Sequence, residues 1–150
     1  MNKLMRTTTA LAISAAMATG ATTALCTGVA SAAASHPVKL TNCAGVGQVA
    51  PRDYTLFCGD GNDTLTKLHW QHWGAKQAWA TGLDGVNSCT PNCASGKQLN
   101  YPATVTLSNL QRKGNGSTYR LLTLHFTGKV PSGERRTEHF KITARGPEFV

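Results

Sequence analysis

Four of the five cysteines, Cys43, Cys58, Cys89 and Cys93, lie beyond the first 35 residues and are the strongest constraint on what this chain can fold into. An even number of cysteines in a short exported chain is typical of two disulfide bonds, for which three pairings exist. The sequence favours Cys43 with Cys58 and Cys89 with Cys93, because the Pro91-Asn92 turn can bring the second pair within bridging distance. The first bridge would close a loop of about 15 residues and contribute roughly 3 kcal/mol.

The beginning of the chain predicts export. Two basic side chains precede an uncharged stretch rich in Ala, Thr and Met, and small residues end it, as in a secretory signal peptide. Cleavage after Ala32 or after Ala34 satisfies the need for small side chains at the cleavage site, and the choice between them stays open. We therefore predict a signal peptide over residues 1–34 and a single secreted domain over residues 35–150.

Two other interpretations of the leader fit less well. A transmembrane anchor needs about 20 strongly apolar residues, whereas this stretch is diluted by Thr, Ser and Gly. Lipidation at Cys26 needs a small residue before the cysteine, and Leu25 occupies that position. We expect no stable membrane insertion after cleavage, and a location outside the cell, either free or associated with the cell wall.

The secreted part is basic. Without the two basic residues of the leader, it carries 13 Lys and Arg against seven Asp and Glu, a net charge of about +6. Such a charge draws a protein toward anionic surfaces and also favours solubility, so the candidate partners are an anionic cell-wall polymer or a secreted protein. Nucleic acid is not expected, because the basic residues are scattered and form no helical stripe.

Alternation of apolar and polar residues predicts an all-β domain. In one run Ala103, Val105 and Leu107 point one way and the intervening threonines the other, and Gly-rich turns separate such runs. We predict a small antiparallel β-sandwich or barrel stapled by two disulfides. The predicted strands are residues 53–58, 65–73, 77–83, 102–107, 119–126 and 137–144. In the fifth strand Tyr119 and Leu121 are expected to face inward, together with either Thr123 or Leu124.

Three tryptophans, Trp70, Trp73 and Trp79, crowd one short stretch of the chain. Exposed aromatic side chains near polar turns can stack on sugars or contact a protein partner. Tryptophan in a small β domain more often fills the core, where each side chain buries a large apolar area. The sequence favours the core for Trp70 and leaves the other two open, so all three are candidate binding residues.

Residues 58–66 look like one calcium-binding nonapeptide of the RTX type. In those repeats Gly and Asp residues in tight turns supply oxygen ligands, and neighbouring copies complete each site. Here Cys58 replaces the first Gly and no second copy follows, so a polar β-turn is favoured over a calcium ion. Asp60, Asn62 and Asp63 stay candidate binding residues, while no metal or other cofactor is expected.

A zinc site formed by His69, His72, Cys89 and Cys93 is disfavoured. Strict alternation along a strand would place the two histidines on opposite faces. The order of the four residues also lacks a zinc-finger spacing, and export favours oxidised thiols.

Catalytic motifs are scarce. The sequence contains no Gly-x-Ser-x-Gly and no cysteine left free to act as a nucleophile, so no catalytic residue is assigned. A glycosidase needs two facing carboxylates. Asp60 or Asp63 with Asp84 or Glu138 could supply them, but nothing in the sequence places these groups together.

Four short motifs follow one another in the secreted part. They are Cys-Gly-Asp-Gly-Asn at 58–62, Leu-x-Trp-x-x-Trp-Gly at 68–74, Asn-x-Cys-x-Pro-x-Cys-Ala-x-Gly at 87–96, and Tyr-Pro-x-x-Val at 101–105. Together they resemble a family of small secreted actinobacterial proteins of uncharacterised function, over about residues 54–126. The resemblance implies an exported, disulfide-containing domain and carries no catalytic residues.

Three functions are compatible with these features. The charge, the disulfides, the tryptophans and the lack of a catalytic motif favour a non-enzymatic binding module, secreted or envelope-associated. A secreted protease-inhibitor-like domain resembles bacterial subtilisin inhibitors in size and disulfide number, with the rigid loop between Cys89 and Cys93 as its contact element. A small extracellular polysaccharide hydrolase would use Asp60, Asp63 or His72.

Overall fold

The computed structural model describes residues 36–150, so the predicted signal peptide and its cleavage sites lie outside the described residues. Every element named within residues 36–150 is a β-strand. None of residues 36–150 belongs to a helix that could span a membrane.

The strands, numbered in chain order, range from two to sixteen residues in length. Their bounds are β1 (Leu40–Thr41), β2 (Gly47–Gln48), β3 (Tyr54–Thr55), β4 (Asp63–Trp73), β5 (Ala78–Asn87), β6 (Gln98–Lys113), β7 (Gly116–Phe126), β8 (Thr137–Thr143) and β9 (Gly146–Phe149).

Strands β3 to β9 form one antiparallel sheet in which every neighbour in space is also the neighbour in sequence. The sheet curls into a half-barrel, which confirms the predicted all-β antiparallel fold with two disulfides. Strands β1 and β2 form a separate ribbon. A parallel bridge from Lys39 to Thr118 joins the start of this ribbon to β7.

The core covers one face of the curled sheet, called here the inner face. Val105 and Leu107 of β6 pair with Leu124 and Leu122 of β7, and all four are at most 1 % exposed. The sequence alternation predicted this face of β6 correctly. Other buried side chains on the sheet and its covering segments are Leu40, Tyr54, Leu56, Leu65, Leu68, Tyr119, Phe126, Phe140 and Ile142.

Several strand details differ from the prediction. Leu122 is buried and Leu121 is not, because the inward residues of β7 alternate through Leu124 to Phe126. Strand β5 continues past its predicted end at Leu83 as far as Asn87. The short strands β1, β2 and β9 were not predicted, since two to four residues give no readable period.

Two β-bulges in β4 shift its pairing with β5. The register changes between Thr66 and His69 and again between Trp70 and His72. At the first shift Lys67 has a φ of 53°, in the left-handed region that non-glycine residues rarely adopt. Each bulge adds one residue to β4, and an added residue reverses which side chains face inward.

The bulges determine which face of the sheet each Trp and His side chain of β4 occupies. Trp70 and Trp73 are both paired with buried alanines of β5 and point to the inner face. His69 and His72 are both exposed and paired with exposed residues of β5, so they share the outer face. The prediction that the two histidines lie on opposite faces was wrong, because it assumed an unbroken alternation.

Both disulfides have the favoured pairing. Cys43–Cys58 ties the turn of the β1–β2 ribbon to the turn that follows β3, and Cys89–Cys93 closes a small loop between β5 and β6. Such bonds are typical of proteins in an oxidising environment.

We expect loss of the Cys43–Cys58 bridge to lower the free energy of unfolding more than loss of Cys89–Cys93. The first joins residues 15 apart and the second residues 4 apart. Because the stabilisation increases with loop length, the losses should be about 3 and about 2 kcal/mol. Urea unfolding of the two double Cys→Ala variants measures both values. A larger loss from the second bridge would contradict this account.

Candidate functional site

Four carboxyl groups lie close enough together to influence one another's ionisation. Asp63 begins β4, Asp84 lies in β5, Glu138 lies in β8 and Glu134 lies in the loop before it. Asp63, Asp84 and Glu138 are 5 %, 0 % and 7 % exposed. The structure thus unites carboxylates that the sequence could only name as separate candidates; Glu134 was not among them. We call these four residues the carboxyl cluster.

The sheet register brings the first two carboxyl groups together. Asp84 pairs directly with Leu65, so Asp63 is its diagonal neighbour on the same face. Asp84 points inward because β5 continues in register beyond Leu83, with Ala78 and Ala80 on the same inner face. The alternation from residue 78 to residue 84 was the signal for this, but the predicted strand ended at residue 83.

Hydrogen-bond donors are scarce around the carboxyl cluster. Among residues 36–150, no N–H group and no Ser, Thr or Tyr hydroxyl donates to Oδ1 of Asp63, to either carboxylate oxygen of Asp84, or to Oε2 of Glu134, all of which are buried. Asp63 and Asp84 lie within hydrogen-bonding reach of each other, and a bond between two carboxyl groups needs a proton on one of them. Glu138 accepts a long bond of 3.4 Å from the backbone N–H of Arg135.

Burial is the largest cause of a raised pKa in every member of the cluster. For Asp63 the hydrogen bond to Asp84 and the neighbouring negative charges raise the pKa further. Burial raises the pKa of Asp84, although the bond from Asp63 opposes it. Burial raises the pKa of Glu134 to about 7, and burial also raises the pKa of Glu138. Asp63 and Asp84 therefore share a proton as a coupled pair.

The carboxyl cluster is closed to ligands in this conformation, since Asp63 and Asp84 are buried. Within the described part of the chain, no group of three or more His, Cys, Asp or Glu side chains is arranged to hold a metal ion. Asp60 is exposed on the neighbouring turn, and His72 lies on the opposite face of the sheet. The cluster can hold and release protons, and its ionisation must influence the stability of the fold.

We expect the free energy of unfolding to fall as the pH rises from about 4 toward 8. Carboxyl groups in the unfolded chain lose their protons near pH 4, whereas the folded protein keeps some of them, with the pKa of Glu134 at about 7. The folded state thus binds more protons over this range, so raising the pH favours unfolding. Urea unfolding at a series of pH values measures the slope.

The variant Asp63→Asn should flatten this dependence and gain at least about 1 kcal/mol at pH 8, because its amide still donates to Asp84 but cannot ionise. Asp60→Asn is the matched control. Asp60 is exposed and its pKa is lowered by hydrogen bonds from Asn62, so this variant should keep the full slope. Equal slopes in both variants and the unaltered protein would refute the assignment.

The Gly-rich turn does not assemble its three candidate ligands. Asp60 accepts hydrogen bonds from the backbone N–H and the side-chain amide of Asn62, at 3.1 and 2.8 Å. The Asn62 side-chain oxygen accepts a bond of 3.1 Å from Asn87. Asp60 and Asn62 thus shape an exposed turn, while Asp63 is buried in the carboxyl cluster.

The three tryptophans lie on two sides of the sheet. Trp70 and Trp73 pack against the core, edge to face, with ring centroids 4.6 Å apart. Their indole N–H groups donate to the backbone oxygens of Pro51 and Val38, at 2.8 and 2.9 Å. Trp79 is 40 % exposed on the outer face.

The outer face carries two rows of side chains that are paired across β4 to β8. The first, called the tryptophan row, is His72, Trp79, Thr106, Thr123 and His139. The second, called the threonine row, is His69, Thr81, Thr104, His125 and Thr137. All ten side chains reach solvent at least in part, and none is a carboxylate. Sequence reasoning identified Trp79 and missed the rows, because their register joins five distant segments.

Contacts between neighbours hold the rows in place. The Trp79 ring stacks on the His72 ring with centroids 4.3 Å apart and planes inclined by 21°. In the next strands, Thr123 Oγ1 lies 3.1 Å from His139 Nδ1. In the threonine row, the hydroxyl of Thr137 lies 2.8 Å from a ring nitrogen of His125.

A cleft of about 650 Å³ lies beside the rows, across β6, β7 and β8. Three basic side chains line it, those of Arg112, Arg120 and Lys141. We call it the basic cleft. The acidic Glu148 is the cross-strand neighbour of Lys141 in β9 and is exposed. The other lining residues are Asn109, Leu110, Gln111, Leu121 and Val150.

Comparison of the chain with protein-family models, with curated proteins and with solved structures found no match.

Proposed function

We propose that the protein is a secreted, non-enzymatic binding module that attaches to an anionic polymer of the cell envelope. The observation that supports this most is the basic cleft. Arg112, Arg120 and Lys141 converge on it from three adjacent strands. Two guanidinium groups suit phosphate or carboxylate groups, because each can donate two parallel hydrogen bonds to such an anion.

The distribution of charge over the molecule supports the same proposal. Four of the seven acidic residues belong to the carboxyl cluster, where raised pKa values reduce their negative charge at neutral pH. The acidic groups left at the surface are those of Asp53, Asp60 and Glu148, whereas every Lys and Arg from residue 36 onward is at least partly exposed. A surface with this excess of cations attracts polyanions over a range set by ionic strength.

Retention on isolated cell wall tests the proposal. The protein should be retained at low ionic strength and released by salt, and the double variant Arg120→Glu/Lys141→Glu should reduce retention strongly. Lys97→Glu/Lys129→Glu is the matched control, since it changes the net charge equally in two loops away from the cleft. Retention that is absent at low salt, or equal loss in both double variants, would count against the basic cleft.

A protease-inhibitor-like function is a second candidate, favoured by the order of the loop between β5 and β6. Asn87 donates to the backbone oxygen of Cys93 at 2.8 Å and accepts from the backbone N–H of Cys89 at 2.9 Å. The Cys89–Cys93 disulfide braces the same loop, and residues 90–95 are exposed. A loop ordered in advance loses less conformational entropy when it enters a protease cleft.

Inhibition assays separate the two candidates. An inhibitor of this kind should block at least one of subtilisin, trypsin and chymotrypsin at micromolar concentration, and Asn87→Ala should weaken the block by loosening the loop. The absence of inhibition across the three proteases would remove this candidate and leave the binding module.

A further inference from the structure

We propose that the tryptophan row is a binding site for an extended glycan chain. The ligand class is a β-linked chain of uncharged pyranose rings that lies across strands β4 to β8. The inference deepens the proposed function and rests on it for the choice of an envelope polymer, since it assigns the sugar backbone of that polymer to a site of its own.

Trp79 is the anchor of this site. Its neighbours in β5, Ala78 and Ala80, are buried, while the indole is 40 % exposed on the opposite face. An exposed indole forgoes the stabilisation that burial would give, and the same domain buries much of Trp70 and Trp73. The stack on His72 fixes the orientation of the Trp79 ring before a ligand arrives. An aromatic ring held in this way can pack against the apolar C–H face of a pyranose.

Polar groups continue the site along the row. Thr106 and Thr123 present hydroxyl groups, and His139 presents an imidazole, all of which can donate and accept hydrogen bonds. Adjacent strands are about 4.8 Å apart, so five positions span about 19 Å, enough for several sugar rings. The contact of 3.1 Å between Thr123 and His139 limits the rotation of both side chains. The row therefore matches a linear, repeating ligand with hydroxyl groups along its edges.

The composition of the outer face disfavours other ligands. The two rows contain no aliphatic side chain except the threonine methyl groups, whereas the centre of a protein interface is more apolar. They contain no Lys or Arg to contact the phosphates of a nucleic acid. Hydroxyl, imidazole and a single stacked indole are the groups that suit an uncharged sugar.

The row is continuous with the basic cleft. Leu121 and Lys141, which line the cleft, form the cross-strand pair next to Thr123 and His139 on the same face of β7 and β8. A glycan that lies along the row can thus direct an anionic substituent toward Lys141. The two sites then contribute separately, one by stacking and hydrogen bonds and the other by charge.

Binding of chitohexaose and cellohexaose, both uncharged, tests the glycan site. Isothermal titration calorimetry in high salt suppresses the electrostatic contribution. We expect the unaltered protein to bind one or both, Trp79→Ala to weaken binding by about tenfold or more, and Trp79→Phe to retain part of it. Thr123→Ala should weaken binding several-fold. Phe149→Ala is the control, since Phe149 is 51 % exposed on β9, outside the row.

The results for the two sites are distinguishable. No binding of either hexasaccharide by the unaltered protein, or equal binding by Trp79→Ala, would overturn the glycan site. Neither result affects salt-sensitive retention on the cell wall through the basic cleft. Conversely, hexasaccharide binding that depends on Trp79 but survives Arg120→Glu/Lys141→Glu would establish the row as a separate site. Urea unfolding of each variant confirms that the fold is intact.

Discussion

The two β-bulges in β4 determine which aromatic side chains build the core and which reach solvent. Without them, alternation from Trp70 would turn Trp73 outward. With them, Trp73 points inward. Its indole N–H donates to the backbone oxygen of Val38, and its ring packs edge to face on the Tyr119 ring with centroids 5.3 Å apart. The hydrogen bond fastens the segment around Val38, which is itself buried, to the core. The same bulges place His72 outside, against Trp79, so they contribute both to the packing of the core and to the order of the outer face.

The carboxyl cluster lowers the stability of the core that these contacts build. Burying an ionised carboxylate without donors costs several kcal/mol, whereas a protonated carboxyl group costs less. Asp63 and Asp84 lower this cost by sharing a proton, and burial is the largest cause of their raised pKa values. One consequence reaches the surface. Four of the seven acidic residues belong to the cluster, so few carboxylates are left at the surface among the exposed Lys and Arg side chains.

The sequence predicted what depends on local pattern. Alternation assigned Val105 and Leu107 to the core, and spacing favoured both disulfide pairs. It missed what depends on register between distant segments. The carboxyl cluster needs β5 to continue through Asp84, and the two rows need five strands in exact alignment. The sequence analysis did not predict the bulges either, because no residue type in β4 marks where an extra residue enters the β-ladder.

The separation of the two faces bears on the choice between binding and hydrolysis. Glycoside hydrolysis needs two carboxyl groups on either side of the scissile bond. Here Glu138 is adjacent in sequence to His139 of the tryptophan row, yet strand alternation turns it to the inner face, where it is 7 % exposed. Asp84 is likewise inward on the strand that carries Trp79. A sugar held on the outer face is therefore separated from Asp84 and Glu138 by the sheet itself, which favours binding without hydrolysis.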